Sequence, residues 1–329
     1  MLRSGSFVPF TESVDALQIG LMQKNLSNLV SQRNRSLALG ALMPVCALSL
    51  ALVFQSQGQE QQEQGTEQRS FHHSFVQPAV FQAAGPKALD QTDISIQTTV
   101  DAFRAALGDP NNGNNPTATT GRREINWDGG NPSIIATTQP VTPFVTFLNT
   151  RGGQFTTPGA GLSQAAPSGL ALLFNNPTYA NIFSTFSPSR LFTPVGSNIT
   201  EGSFFLPGSN GAVPATVRGF GAVFTDVDQQ DGRGHGKKRG NGEEREDRDA
   251  STLIEYFGTN NKVLFSGIVP ASPGDASLSF FGIVFDKPLI ARVRITTGNT
   301  APGPDDNEKY DIVMMDDFIY SEPVSTTMK

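Results

Sequence analysis

This sequence is poor in the groups that carry most enzyme chemistry. It holds one cysteine, one tryptophan and three histidines in 329 residues. Cys46 lies inside an apolar run near the amino end, preceded by Val45 and followed by Ala47, Leu48, Ser49 and Leu50. A lipidation site would instead have a small residue before the cysteine and no apolar continuation after it. If that run is a leader that is removed, no thiol remains, and disulfides, thiolate catalysis and thiolate metal centres are excluded. The histidines are His72 and His73, in a segment expected to be a tether, and His235, in a charged segment expected to be a loop, so no serine or threonine has a well-held base. Phosphate-loop and dinucleotide-binding glycine motifs are absent. With 24 Lys+Arg against 30 Asp+Glu, a net charge of −6 and no basic stripe, the composition argues against a nucleic-acid partner.

What the chain does have is phenylalanine, glycine and proline, at 24, 33 and 22 residues. Phe/Val/Ile runs punctuated by Gly and Pro predict many short strands joined by turns, with a core that stands on packing alone. At the amino end Lys24, Arg33 and Arg35 precede an uncharged run over 36–54, and Ser56-Gln57-Gly58 supplies a small-x-small cleavage pattern. Residues 1–58 are therefore expected to be a leader, with Met22 the expected start of translation and secretion or the cell envelope the destination. An uncleaved membrane anchor is the alternative, and Pro44 within the run favours cleavage, which leaves no membrane span. Residues 59–90, dominated at first by Gln, Glu, Gly and Ser, are expected to be a tether.

The domain is expected over 91–323, with 324–329 as a tail. Val100, Phe103 and Leu107 at helical spacing predict a short helix over 98–108, ended by Gly108. A second short helix is expected at 177–183. Strands are expected at 123–127, 143–149, 190–194, 199–206, 217–227, 252–257, 263–269, 278–285, 290–296 and 312–320. Ten strands with no βαβ rhythm imply an all-β sandwich of jelly-roll or Greek-key type. One segment stands apart: residues 231–249 hold six basic and six acidic side chains and no apolar one, and should form a solvated surface loop.

The run Gly219-Phe220-Gly221-Ala222-Val223-Phe224-Thr225-Asp226, then Ile254-Glu255-Tyr256-Phe257, Phe280-Phe281-Gly282-Ile283-Val284-Phe285 and Met315-Asp316-Asp317-Phe318-Ile319-Tyr320, resembles secreted bacterial β-sandwich proteins that carry PEP-CTERM-type sorting tails. The likeness covers the last third of the chain. Gly121-Arg122-Arg123-Glu124-Ile125-Asn126-Trp127-Asp128-Gly129 is similar to the opening strand of bacterial proteins of the same kind. The resemblance implies a sandwich and export, and no substrate or mechanism. The end of this chain departs from the pattern, since Ser321 to Lys329 has neither an apolar anchor nor a basic cluster.

Acids dominate the remaining candidates. Calcium takes six to eight oxygens, and a first and last strand lying side by side would bring Asn126 and Asp128 to Asp316 and Asp317. Strict alternation would send Asp316 and Asp317 to opposite faces, and Asp316 is expected inward, beside Phe318. Asp226, Asp228, Asp231 and Gly232 look superficially like a calcium loop, but the helix-loop-helix spacing fails. The competing expectation is that all these acids end strands and face water. Trp127 and Tyr179 are the aromatics expected to bind a ligand, a glycan or other envelope component, by stacking on a sugar, with core packing as the alternative. A polysaccharide hydrolase would need two facing carboxylates, with Glu124, Glu201 and Glu255 available, but Glu255 is expected to pair with Arg292 or Arg294. A non-catalytic binding or structural protein is the better reading, and the oligomeric state is not legible.

Overall fold

A computed structural model describes residues 76–86, 96–129, 140–228, 252–272, 274–307 and 309–326. The expected leader, the charged segment at 231–249 and all three histidines lie outside the described residues. The chain divides after Ser70, and Phe71–Lys329 forms one compact unit, described below.

The elements in chain order are β1 (Ala79–Gly85), α1 (Gln97–Leu107), β2 (Arg122–Ile125), α2 (Leu148–Arg151), β3 (Gly153–Thr156), β4 (Gly161–Ala165), α3 (Pro167–Leu173) and α4 (Tyr179–Ile182). They continue with β5 (Leu191–Val195), β6 (Ile199–Phe204), β7 (Ala215–Thr216), β8 (Gly219–Thr225), β9 (Leu253–Phe257), β10 (Val263–Ile268), β11 (Leu278–Val284), β12 (Arg292–Thr296), β13 (Met314–Ser321) and β14 (Val324–Ser325). One sheet runs β1-β11-β8-β13-β5-β4, with β2 also on β13, and the other runs β10-β9-β12-β6-β3. Strands outweigh helices by 40% to 13%, and the two antiparallel sheets pack together, so the domain is an all-β sandwich.

Phe220, Phe224, Ile283, Met315 and Phe318 of the first sheet meet Phe155, Phe204, Ile254, Tyr256 and Val293 of the second in one fully buried core. The outer face of the first sheet is covered as well. Val100, Phe103 and Leu107 of α1 pack on Val223, Phe280 and Ile319, while α3 and α4 cover Leu191 and Met314. Cover on both faces is why β8, β11 and β13 read as near-continuous apolar runs rather than alternating ones. Phe103 fits because Gly221 and Gly282 are directly opposed in the ladder. A Cβ on either would stand 3.0 Å or less from the Phe103 ring.

Three expectations are corrected. β1 falls inside the segment expected to be tether, because Phe81 packs on Phe103 and the strand pairs with β11 over its whole length. Residues 143–149 form no strand; Phe144 makes an isolated bridge to Phe155 and the chain then enters α2. Three of the acids expected to end strands and face water do not, since Asp226, Asp316 and Asp317 are at most 2% exposed, while Asp128 and Asp228 are partly buried and Asp231 lies outside the described residues.

Candidate functional site

The last long strand changes partner at its centre. On one edge, β13 pairs with β5 at Met315 opposite Phe192, then with β2 from Phe318 opposite Ile125. Neither partner reaches Asp316 or Asp317. The Asp316 carbonyl takes its hydrogen bond instead from the Trp127 indole N–H at 2.9 Å, where the chain leaves β2 with Trp127 at φ 61°. On the other edge, Met315 faces Phe224 and Phe318 faces Ala222, so Asp316 and Asp317 together stand opposite Val223 alone. This is a β-bulge.

The bulge cancels the alternation expected from the sequence. Met315 and Phe318 both enter the core between the sheets, and both carboxyls reach the Ser187 hydroxyl, at 3.4 Å from Asp316 and 2.6 Å from Asp317. Asp316 is therefore not the inward acid beside Phe318. Asp128 joins them, with Oδ2 at 3.2 Å from Ser187 Oγ, and Asn126 enters through its backbone carbonyl at 3.4 Å while its side chain is exposed. Asn126, Asp128, Asp316 and Asp317 thus meet at one place, around a serine that nothing in the sequence singled out.

Each carboxyl has an anchored outer oxygen. Asp316 Oδ2 accepts from the Phe186 amide at 2.6 Å, Asp128 Oδ1 from the Arg190 amide at 2.8 Å and from the Ser189 amide, and Asp317 Oδ2 lies 3.6 Å from Arg104. The inner oxygens converge on Ser187, whose hydroxyl has one proton to give. Asp317, the shortest contact, receives it. Burial, then the Asp317 charge, push the Asp316 carboxyl well above the usual range. Burial also lifts Asp317 to about 6, against the downward pull of Ser187, Asp316 and Arg104, and raises Asp128. The inner oxygens of Asp128, Asp316 and Asp317, the Ser187 hydroxyl and the Asn126 carbonyl are the oxygens a hard cation would take here, once it had displaced the protons that the raised carboxyls hold and drawn the three carboxyls closer together.

The other candidates are already engaged. Glu124 accepts from Arg104 at 2.9 Å and from Arg122 at 2.7 Å. Glu201 lies between Arg292 at 3.0 Å and Arg294 at 2.7 Å, and Glu255 is 4.0 Å from Arg294. Trp127 is fully buried and stacked on Phe192 with ring centroids 3.6 Å apart. Tyr179 is buried too; its hydroxyl donates to the Pro304 carbonyl and accepts from the Gly303 amide. Neither ring offers a face to a sugar, because each fills the core and satisfies backbone polar groups there.

No protein-family model matches this chain, and no curated protein matches it. The likeness to exported sandwich proteins rests on the sequence pattern alone. Among the described residues, no helix is long and apolar enough to cross a membrane.

Proposed function

We propose that this chain is an exported, non-catalytic β-sandwich protein of the cell exterior or envelope that binds calcium at the acid junction of Asp128, Asp316 and Asp317. The observation that carries this reading is the convergence of three carboxyl oxygens and a backbone carbonyl on the Ser187 hydroxyl. A cation there would tie β13, through its bulge, to the 186–190 segment and to the chain leaving β2. Export rests on the leader pattern over 1–58. The non-catalytic reading is supported by the arginine pairing of Glu124, Glu201 and Glu255, which leaves none of them available as a hydrolase acid.

Trp127 is the only tryptophan and bonds the Asp316 carbonyl, so it reports on this place alone. Terbium added to the chelator-treated full chain should emit under tryptophan-selective excitation, and calcium should displace it. The emission should vanish in Asp128→Asn. Absence of tryptophan-sensitised emission in the wild type, or emission unchanged in Asp128→Asn, would refute calcium binding at the junction.

A further inference from the structure

A second group of acids lies where β8 ends. Asp228, from the segment after β8, meets Asp306 and Asp311 of the loop between β12 and β13, and one carboxylate oxygen from each lies within 4.8 Å of the others. That span is what oxygens on one ion of calcium's size require, since two ligands at about 2.4 Å cannot stand more than about 4.8 Å apart. Among the described residues no other acid triad is so close; the junction carboxyls of Asp128, Asp316 and Asp317 stand farther apart and would have to draw in around an ion, whereas these three need not.

A separate observation points to a ligand. Asp226, the residue after β8, has φ 66°, is 2% exposed, and its Oδ2 has no hydrogen-bond partner. Uncompensated buried polar atoms are rare and costly, and a charged one more so. Asp226 stands two residues before Asp228, so its orphaned oxygen is buried beside the acid triad, and the charges of Asp306, Asp228, Asp275 and Asp311 bear on it. Local bonds fix the rest of the shell: Asp306 Oδ1 accepts from the Ile312 amide at 2.8 Å, and the Asp311 amide donates to Asn299 at 3.1 Å.

We infer that Asp228, Asp306 and Asp311 form a calcium site separate from the acid junction, with the buried Asp226 carboxyl beside them as a fourth acid turning to the ion. Four carboxyls drawn from two distant segments suit calcium's high and flexible coordination number better than magnesium, which prefers to keep most of its waters. The ion would clamp the end of β8 to the loop that leads into β13. The site shares no residue with the junction and does not depend on calcium binding there.

The test uses the chelator-treated full chain with calcium chloride as the probe, and magnesium chloride as the comparison. Calcium should raise the wild-type melting temperature more than magnesium does. Asp226→Asn should weaken calcium binding by about tenfold or more, the size of loss expected when metal-site architecture is broken, yet melt no lower than wild type without calcium. A purely structural Asp226 would show the reverse: a lower calcium-free melting temperature and undiminished calcium binding. Should Asp226→Asn not fold, that too would overturn the site, and Asp306→Asn, whose Oδ1 can keep the Ile312 bond, supplies an independent check through the same loss of affinity. Terbium emission under tyrosine excitation, from Tyr179 and Tyr310 beside this loop, should survive Asp128→Asn and disappear in Asp226→Asn. Tyrosine-sensitised emission without the tryptophan-sensitised signal would leave this site standing and remove only the junction.

Discussion

The two acid groups have similar composition and opposite bookkeeping of hydrogen bonds. At the junction each carboxyl has an outer oxygen held by the Phe186 amide, by the Ser189 and Arg190 amides, or by Arg104. At the end of β8, Asp226 has a buried oxygen with nothing to hold it. Burying an acid is tolerable when the backbone supplies donors, and the protein then stands without an ion. Where donors are missing, the acid must be neutralised by a proton or paired with a cation, and a cation has only the proton to displace. The β8 group should accordingly bind calcium more tightly and depend on it more.

The comparison can be pressed first at its extreme, a buried acid with complete compensation. Glu322 meets Arg123 through two bonds of 2.7 and 2.6 Å, and Arg123 also donates to the carbonyls of Gly113, Thr150 and Asn115. Glu322→Ala strands this guanidinium and should cost about 3–5 kcal/mol in denaturant unfolding, with or without calcium. Asp316→Ala comes next. It leaves the buried Phe186 amide without its acceptor and should cost about 1–3 kcal/mol in calcium-free buffer. Ser187→Ala should cost about 1 kcal/mol, abolish tryptophan-sensitised terbium emission and leave the tyrosine-sensitised signal intact. The smallest calcium-free effect is expected for Asp226→Asn, at zero or a slight gain. A loss there comparable to that of Asp316→Ala would erase the distinction between the two groups.

Much of this was legible in the residues. Val100, Phe103 and Leu107 mark α1, and they are the side chains that α1 buries. The apolar runs of β8, β11 and β13 mark strands covered on both faces. Pairing of β2 with β13 brings Asn126 and Asp128 to Asp316 and Asp317, as placing the two strands side by side requires. The bulge was not legible, because period-two alternation carries no sign of an extra residue, and it turns both acids to the same serine. β1, with the sequence AVFQAAG, has only Val80 and Phe81 as strand-favouring residues among three alanines and a glycine, and is held by β11 and α1. β3 and β4 are short and half polar, and owe their form to partners distant in sequence. The β8 acid group escaped for a related reason. Its ligands come from two segments that the fold alone brings together, and no local spacing encodes them.

The most direct measurement is a calorimetric calcium titration of the chelator-treated full chain, in wild type, Asp226→Asn and Asp128→Asn. Two binding events are expected in the wild type, with the tighter lost in Asp226→Asn and the weaker lost in Asp128→Asn. A titration without heat in the wild type, together with melting curves that superimpose with and without calcium, would contradict both sites.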